Sequence, residues 1–450
     1  MRLPLAGVRV VEMGQLIAIP YATKLLADMG AEVVRIESCS RLENYRATSF
    51  FENDPTGDFW NRAANFYEQN RNKLGVTLDL ADPEGLSLLE ELIAVSDVFA
   101  ENFTPRVVRN FGLEYDDVRR IRPDIVMVSS TGYGHTGPWA ELGAIGYATE
   151  AASGLAHVTG YRGGPPVVPE IPYSDFTAAE HTVFAIMAAL VHRASTGKGQ
   201  FIDVSQTETL SSTIPETLMD YTVNGRTQPR MGNQDPAMAP HGCYPCRGDD
   251  RWIAIAVGSD QEWTALCDVL DAPPWTADSR FASAGARRQH LEELDRLLAE
   301  STSQWDPHEL MHALQDRGVP AGAVLDGKQL LFDPHLEARG FYETVAHNES
   351  TGMPPLPYPS RPWRMSETTP ALRAAPLMGE HNRRVLSDLL GRAEEDLEAL
   401  EREGVIGYRP VDLRFPPVIP LDTQKRQGRI LHYEQDFQQQ LRKRFGEPSA

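Results

Sequence analysis

Cysteine is scarce: there are four in 450 residues, too few for the disulfide framework of a small secreted scaffold. No apolar run reaches the ~20 residues of a membrane-crossing helix. The opening MRLPLAGVRVVEMG passes directly into a strand pattern, without the apolar stretch of a signal peptide. Positive charge is also in deficit, since 43 Lys and Arg face 63 Asp and Glu for a formal charge of −20. That balance excludes the broad basic field that nucleic acid or an anionic membrane would require. A small anionic ligand stays admissible if a local Arg or Lys cluster receives it. The expectation is a cytoplasmic protein with no nucleic-acid and no membrane partner. What is present is an ordinary globular composition, 41% hydrophobic and 24% charged. The chain is too long for one core, so two or three folding units are expected.

Strand-like and helix-like runs alternate from the start. GVRVVEM (7–13), YATKLLADMG (21–30) and AEVVRIE (31–37) read as a βαβ unit, the helix being the crossover that parallel strands need. LGVTLDL follows as a strand. Asp82-Pro83 then supplies a cap and a first-turn proline for PEGLSLLEELIAVS. DVFAEN and DIVMVSSTGYG continue the pattern as strands, with a helix starting at Thr104-Pro105 between them. The class is therefore α/β, with helices on the faces of a sheet that extends to about residue 205. From 224 to 252 the chain is dense in Gly, Pro and Asn. A smaller α+β domain at 230–328 is expected after it, with RWIAIAV as a strand and Ser259/Glu262 as a capping box. The remaining divisions are a large domain over 1–223, a linker and return to it over 329–405 with helical periodicity near 375–403, and a tail of mixed charge over 406–450.

Several motifs have bland readings. The first turn, EMGQLIAIP, lacks the G-x-G-x-x-G of a dinucleotide site, and Glu37 at the end of the second strand is by itself weak evidence for a ribose contact. Cys243-x-x-Cys246 has no second ligand pair for zinc and leads into a hairpin, so it reads as two small strand residues and no metal site is expected. His135 lies in a Gly-rich loop after a strand, a position that often carries ligands. No Ser/His/Asp or Cys/His signature is visible. Asp175 precedes a run, Val183 to Val191, that is apolar on nearly every face. Asp is a favoured N-cap worth about 1 kcal/mol, yet TAAE (177–180) already matches a capping box. If Thr177 and Glu180 close the helix, Asp175 stands just outside the first turn with no capping task, and a desolvated carboxylate there is a candidate nucleophile. Spacing alone still favours the structural role.

Taken together, the motifs change that balance. PLAGVRVVEMGQLIAIPYATKLLADMGAEVVRIE, NRNKLGVTLDLADPEG, DVFAENFTPRVVRNFGLEYDDVRRIRPDIVMVSSTGYGHTGP, SDFTAAEHTVFAIMAALVHRASTGKGQFIDVS, PLMGEHNRRVLSDLLG and LEREGVIG resemble, in order, the class III CoA-transferase (CaiB/BaiF) family over about residues 4–407. The resemblance implies a large Rossmann-like domain whose parallel sheet is formed by both chain ends, a small domain and an interlocked dimer. It implies an enzyme that moves coenzyme A from an acyl-CoA to a carboxylic acid, with CoA thioester as substrate and no permanent cofactor. The family's catalytic acid falls on Asp175, which would form an aspartyl–acyl anhydride and then an aspartyl-CoA thioester. The adenine of CoA would meet the backbone of Leu78, and Asn102 and Phe103 would also bind CoA, with Asn72 and Lys73 at matching positions. Arg106 and Arg109 share a helix face and could meet phosphates, although a solvated surface is the equal alternative. His135, Tyr147, Gly232 and Gly242 are candidate residues of the substrate loops, the glycines as a flexible cover.

The chain departs from the family at Ile17, at Ala18-Ile19-Pro20 and at Ala148 after Tyr147, which makes the acceptor side more apolar. A larger, partly hydrophobic acid, an aromatic or branched dicarboxylate, is therefore expected, with succinyl-CoA as a candidate donor. Two rivals stand beside this reading. An acyl-CoA racemase or isomerase of the same family would need a second acid/base histidine, and GAIGYA (143–148) has none. A non-catalytic subunit of a heteromeric transferase is the other; retention of Asp175 argues against it, while Ile19 and the 44 residues after Ile406 keep it open. Homodimer and heteromer both remain admissible, and the tail is expected to wrap a neighbouring subunit or to form a solvated helix.

Overall fold

The computed structural model describes residues 3–368 and 370–446. A six-stranded sheet, ordered β3-β2-β1-β4-β5-β6 with every neighbour parallel, organises the first part of the chain. Its strands are β1 Arg9–Met13, β2 Glu32–Glu37, β3 Leu74–Thr77, β4 Val98–Glu101, β5 Val126–Thr131 and β6 Gln200–Ser205. Successive residues of a strand face opposite sides. Val11, Val34 and Val76 accordingly join a core with Leu88, Leu89 and Leu92, while Val10, Val33 and Val98 join a second core with Ile19, Ile186 and Ala189. The sheet reverses its order between β1 and β4, and ligands of open α/β sheets settle beyond the carboxyl ends of strands at such a switch point.

The first crossover helix, α1, runs Ala18–Asp28 and so begins three residues earlier than its apolar spacing suggests. Asp82 does cap the helix Pro83–Ala94, accepting from the Glu84 amide at 2.8 Å, with Pro83 in the first turn. The long helix begins at Tyr173 rather than at the TAAE box. The Tyr173 amide donates to Glu150 Oε1 at 2.6 Å, whereas the Thr177 hydroxyl donates backward to the Ser174 carbonyl. A carboxylate distant in sequence therefore opens this helix, and Asp175 lies inside its first turn. Nor is the helix buried all round in the single chain: Phe184 is 76% and Val191 68% exposed.

The expectation of a parallel sheet formed by both chain ends is corrected. All six strands come from residues 9–205, and the C-terminal segment adds helices instead, Asn382–Leu390 and Glu394–Glu403. Their Val385, Leu386, Leu397 and Leu400 enter the same core as β3. The open edge of β3 is satisfied without a strand. Gly75 exchanges hydrogen bonds with His381, its amide to Nδ1 at 3.2 Å and its carbonyl from the His381 amide at 2.9 Å. The Thr77 amide donates to Asn382 Oδ1 at 2.8 Å. Residues 375–381 of the expected helical stretch form this connection rather than helix.

Two compact units result. One comprises residues up to Leu155, Pro169–Pro215 and from Glu337 onward; the other comprises Ala156–Val168 and Glu216–Leu336. The second unit holds the antiparallel strands β7 His241–Pro245, β8 Trp252–Ala256 and β9 Ala321–Ala323. The Ser259 hydroxyl there accepts from the Glu262 amide at 3.2 Å, as the capping pattern indicates. A two-stranded ladder, β10 Tyr342–Val345 with β11 Leu356–Pro359, belongs to the first unit. No described helix is long and apolar enough to cross a membrane.

Asn382 is fully buried and also donates to Thr77 Oγ1 and the Gly407 carbonyl, both at 3.0 Å. Asn382→Ala would strand the Thr77 amide and is expected to lower unfolding stability by about 3 kcal/mol, read by urea denaturation. An effect below about 0.5 kcal/mol would show that water replaces the contact.

Candidate active site

The loop that leaves β1 at the switch point carries the first part of the site. Leu16 adopts a left-handed backbone, φ 60°, uncommon for a residue with a branched side chain. Two neighbours hold it there. Asn102, just after β4, accepts from the Gln15 amide and donates to the Gln15 carbonyl, both at 2.8 Å. Glu43 accepts from the Leu16 amide at 2.8 Å. The chain then turns into α1, whose first amides have no partner within the helix.

One of them, the Ala18 amide, donates to the Asp175 carboxylate, and Gln206 Nε2 approaches Asp175 Oδ1 at 3.4 Å. Asp175 lies in the first turn of Tyr173–Thr196, so the positive ends of two helices meet at one carboxylate. Burial opposes its charge more strongly than these donors support it, and the nearby Glu150 adds to the opposition. The result is a carboxyl pushed up to about 6. Gly146 lies directly above it: a Cβ there would stand 2.8 Å from Asp175 Oδ2 and 2.4 Å from Pro172 Cβ. Only hydrogen fits at that position.

Asp175 opens into a cleft of about 390 Å³ lined on one side by Leu16, Ile17, Phe103, Ile145 and Tyr147, and on another by Ser130, Thr131 and Gln206. Tyr45 also lines it. Burial, followed by the charges of Asp175 and Glu43, pushes this phenol up to about 12, so it remains a donor at neutral pH. A second cavity of about 370 Å³ shares Gln15 and Phe103 with the first and extends past Glu37, Ser40 and Arg41 to Leu78 and Phe111. Asp175, Asn102, Phe103, Tyr147 and Leu78 are thus brought to two adjoining cavities.

Other candidates are placed elsewhere. Asn72 donates to Asp28 Oδ1 at 2.7 Å and accepts from the Arg373 amide at 2.8 Å. Lys73 is enclosed, donating to Glu12 Oε2 at 2.7 Å, the Pro20 carbonyl at 2.8 Å and Asn70 at 2.9 Å. Neither residue lines the two cavities. Arg109 is exposed and pairs with Glu114 and Glu141 at 3.1 Å, and Arg106 is exposed on the same short helix. His135 Nε2 lies 2.6 Å from Ser129 Oγ and its ring meets Phe201 edge-on; burial lowers its pKa, and it is outside the Asp175 cleft. Gly232 and Gly242 belong to the second unit, where they line a shallow hollow with Cys243. Glu37 is consumed by Arg46, which grips both its oxygens at 2.7 Å. Among the described residues no His/Cys/Asp/Glu group is arranged to hold a metal.

Sequence reasoning missed Gln206, Gly146, Tyr45 and Glu43, none of which carries a motif. It also missed Glu101, whose Oε2 accepts from the Phe103 amide at 2.7 Å and whose buried carboxyl is pushed up to about 7. Its signal was an acid closing an otherwise apolar buried strand.

Comparison with known proteins gives a consistent answer. The family described as CoA-transferase family III matches residues 5–382. Succinate–glutarate CoA-transferase of Agrobacterium fabrum is 32% identical over 390 residues, which is 86% of this chain and 96% of that protein. Succinyl-CoA–D-citramalate CoA-transferase of Chloroflexus aurantiacus is 32% identical over 90% of this chain and 98% of its own length. The crystal structure of a CaiB/BaiF family protein from Brucella suis superposes with a TM-score of 0.79 at 31% identity, covering 86% of this chain and all of that one.

The raised carboxyl has a stability consequence. The folded pKa of Asp175 lies near 6, above the ordinary 3.8. The ionised group is therefore unfavourable in the fold above pH ~6, and the penalty fades as pH falls through 6 toward 3.8. Asp175→Asn is expected to stabilise the protein by about 1–2 kcal/mol at pH 7.5, after allowance for partial exposure, and by almost nothing near pH 4. Paired denaturation curves at the two pH values test this, and equal effects at both would contradict it.

Proposed function

Because the chain belongs to CoA-transferase family III and is a CoA-transferase, we propose that it carries CoA from succinyl-CoA to a dicarboxylic acid larger than oxalate through Asp175. The observation that supports this most directly is a half-buried carboxylate, held by two helix starts at the base of a cleft, next to a second cavity long enough to continue it. The adenosine end of CoA lies in the cavity at Leu78, and the pantetheine arm passes Gln15 and Phe103. The thioester then reaches Asp175.

The chemistry follows from the surroundings. Asp175 attacks the thioester carbonyl; its C–S bond breaks, giving an aspartyl–acyl anhydride and CoA thiolate. The thiolate attacks the aspartyl carbonyl, releasing the donor acid and leaving an aspartyl-CoA thioester. The acceptor carboxylate attacks this thioester, forming a new anhydride and freeing thiolate once more. Thiolate attack on the acceptor's acyl carbon yields the product thioester and regenerates Asp175. Each bond made has energy similar to the one broken, so no external energy source is required, but water would destroy every intermediate. Leu16, Ile17 and Phe103 help exclude it. The Ala18 amide and Tyr45 hydroxyl are donors for oxyanions that develop at the reacting carbonyls.

The dicarboxylate class draws support from the acids named in the activities of the two relatives, and the preference for a partly apolar chain from Ile17, Ile145 and Phe103 in the cleft. No histidine is among the described residues lining it, which weighs against the racemase reading. The exposed stripe carrying Phe184 and Val191 supports a homodimer or a heteromer with a related subunit, since large apolar side chains left open to water favour a partner.

Brief incubation with succinyl-CoA followed by hydroxylamine trapping is expected to modify the peptide that contains Asp175, and Asp175→Asn is expected to prevent it, as read by mass spectrometry. An unmodified Asp175 despite measurable CoA binding would overturn the covalent route. Because the nucleophile must be ionised, kcat/KM is expected to fall about tenfold per pH unit well below pH 6.

A further inference from the structure

A concavity distinct from both cavities lies where the β10–β11 ladder opens. The Ser360 amide donates to the Phe341 carbonyl at 2.7 Å, so Arg339–Phe341 enter the ladder beside the segment Ser360–Met365 that leaves it. The pocket between them has a volume of about 280 Å³, and Met29 at the C-terminal end of α1 contributes to its wall. None of its lining residues is shared with the clefts at Asp175 and Leu78. It adjoins the opposite end of α1 from Ala18, about 16 Å away by helical rise.

Its polar half is unfinished. The Arg361 side chain is 9% exposed; its Nη2 donates to Glu343 at 2.8 Å and to the Pro370 carbonyl at 2.7 Å. Arg361 Nη1 is buried with no hydrogen-bond partner among the described residues, and neither has Thr368 Oγ1 in the same lining. Buried polar atoms are seldom left unpaired, so two in one cavity, both without a partner among the described residues, mark a place where a bound group can supply one. Arg339 and Arg364 add two further guanidiniums. Against these three cations stands Glu343, already engaged by Arg361, by the Ser360 hydroxyl at 2.5 Å and by the Leu372 amide at 3.3 Å. The local excess of about two positive charges contrasts with the chain's −20. The other half is apolar, formed by Phe341, Trp363 and Met365, of which Trp363 is 40% and Met365 48% exposed.

We propose that this pocket binds a phosphate monoester carried on a flat ring, the guanidiniums and Thr368 taking the phosphate oxygens and Trp363 with Phe341 taking the ring. Such a group carries nearly two negative charges at neutral pH and matches the forked geometry of arginine, while a ring covers aromatic surface otherwise open to water. The inference stands independently of the transferase reading, because it uses none of that site's residues.

Calorimetric titration of the full chain with phenyl phosphate tests it. Saturable binding is expected, unchanged by saturating CoA, with inorganic phosphate at least about tenfold weaker because it lacks the ring. Arg364→Gln and Trp363→Leu, both at exposed positions and suited to preserve the fold, are each expected to weaken binding about tenfold. Arg361→Gln is expected to abolish it. The proposal is overturned by absence of saturable binding, by displacement with CoA, by equal affinity for inorganic phosphate, or by Arg364→Gln and Trp363→Leu variants that bind as the parent does.

Discussion

Glu12 places a carboxylate inside the central strand of the sheet, where it is completely shielded from water. An isolated charge there would be prohibitive, so partners from three directions must meet it. Lys73 at the entry to β3 reaches Oε2 at 2.7 Å, Thr23 of α1 donates to the same oxygen at 2.6 Å, and Arg35 of β2 holds Oε1. Burial works against the charge, yet Lys73 and Arg35 together keep Glu12 below the usual carboxylate range. The other arm of Arg35 grips Glu43, which holds the Leu16 amide in its left-handed turn. Removing one member would leave a buried charge without compensation, an effect of about 3–5 kcal/mol. The strands and the loop that leaves β1 are consequently set by one chain of contacts. Asn72 and Lys73 belong to this framework and its neighbour at Asp28 and Arg71.

At Asp175 the opposite balance operates. Glu12 has full counter-charges, whereas Asp175 has two neutral donors and helix ends. Its charge is tolerated rather than satisfied, because burial outweighs the support of its donors. A carboxyl near 6 remains mostly ionised at pH 7 while being more basic than an ordinary aspartate. Gly146 keeps the space above it open.

The C-terminal segment serves the same framework from another side. By pairing His381 and Asn382 with β3, it closes an edge that would otherwise expose unpaired backbone, and it does so with the start of a helix. Arg71 extends the connection to the ladder: it holds Asp28 at 2.7 Å and donates to the Pro359 carbonyl. The arginine-lined pocket therefore stands on a braced part of the molecule.

The parallel α/β order was legible in residues such as Val10, Val11, Val33 and Val34, because strands buried on both faces read as apolar runs bounded by turn and cap residues such as Gly30 and Asp82. The family was legible too, through ordered motifs rather than through spacing. Three things were not. The start of the long helix depended on Glu150, more than twenty residues away, which local capping rules cannot see. Whether the last part of the chain entered the sheet as strand depended on the bonding needs of β3, met by Asn382 across a separation of 305 residues. The partners of Lys73, and the burial of an Arg361 nitrogen that has no partner among the described residues, were fixed only when distant segments closed around them. Sequence determined the local periodicities, caps and reactive residue types, since these depend on neighbours within a few positions. Tertiary structure decided which charges are satisfied and which remain available, because desolvation and pairing are set by atoms brought together only in the fold.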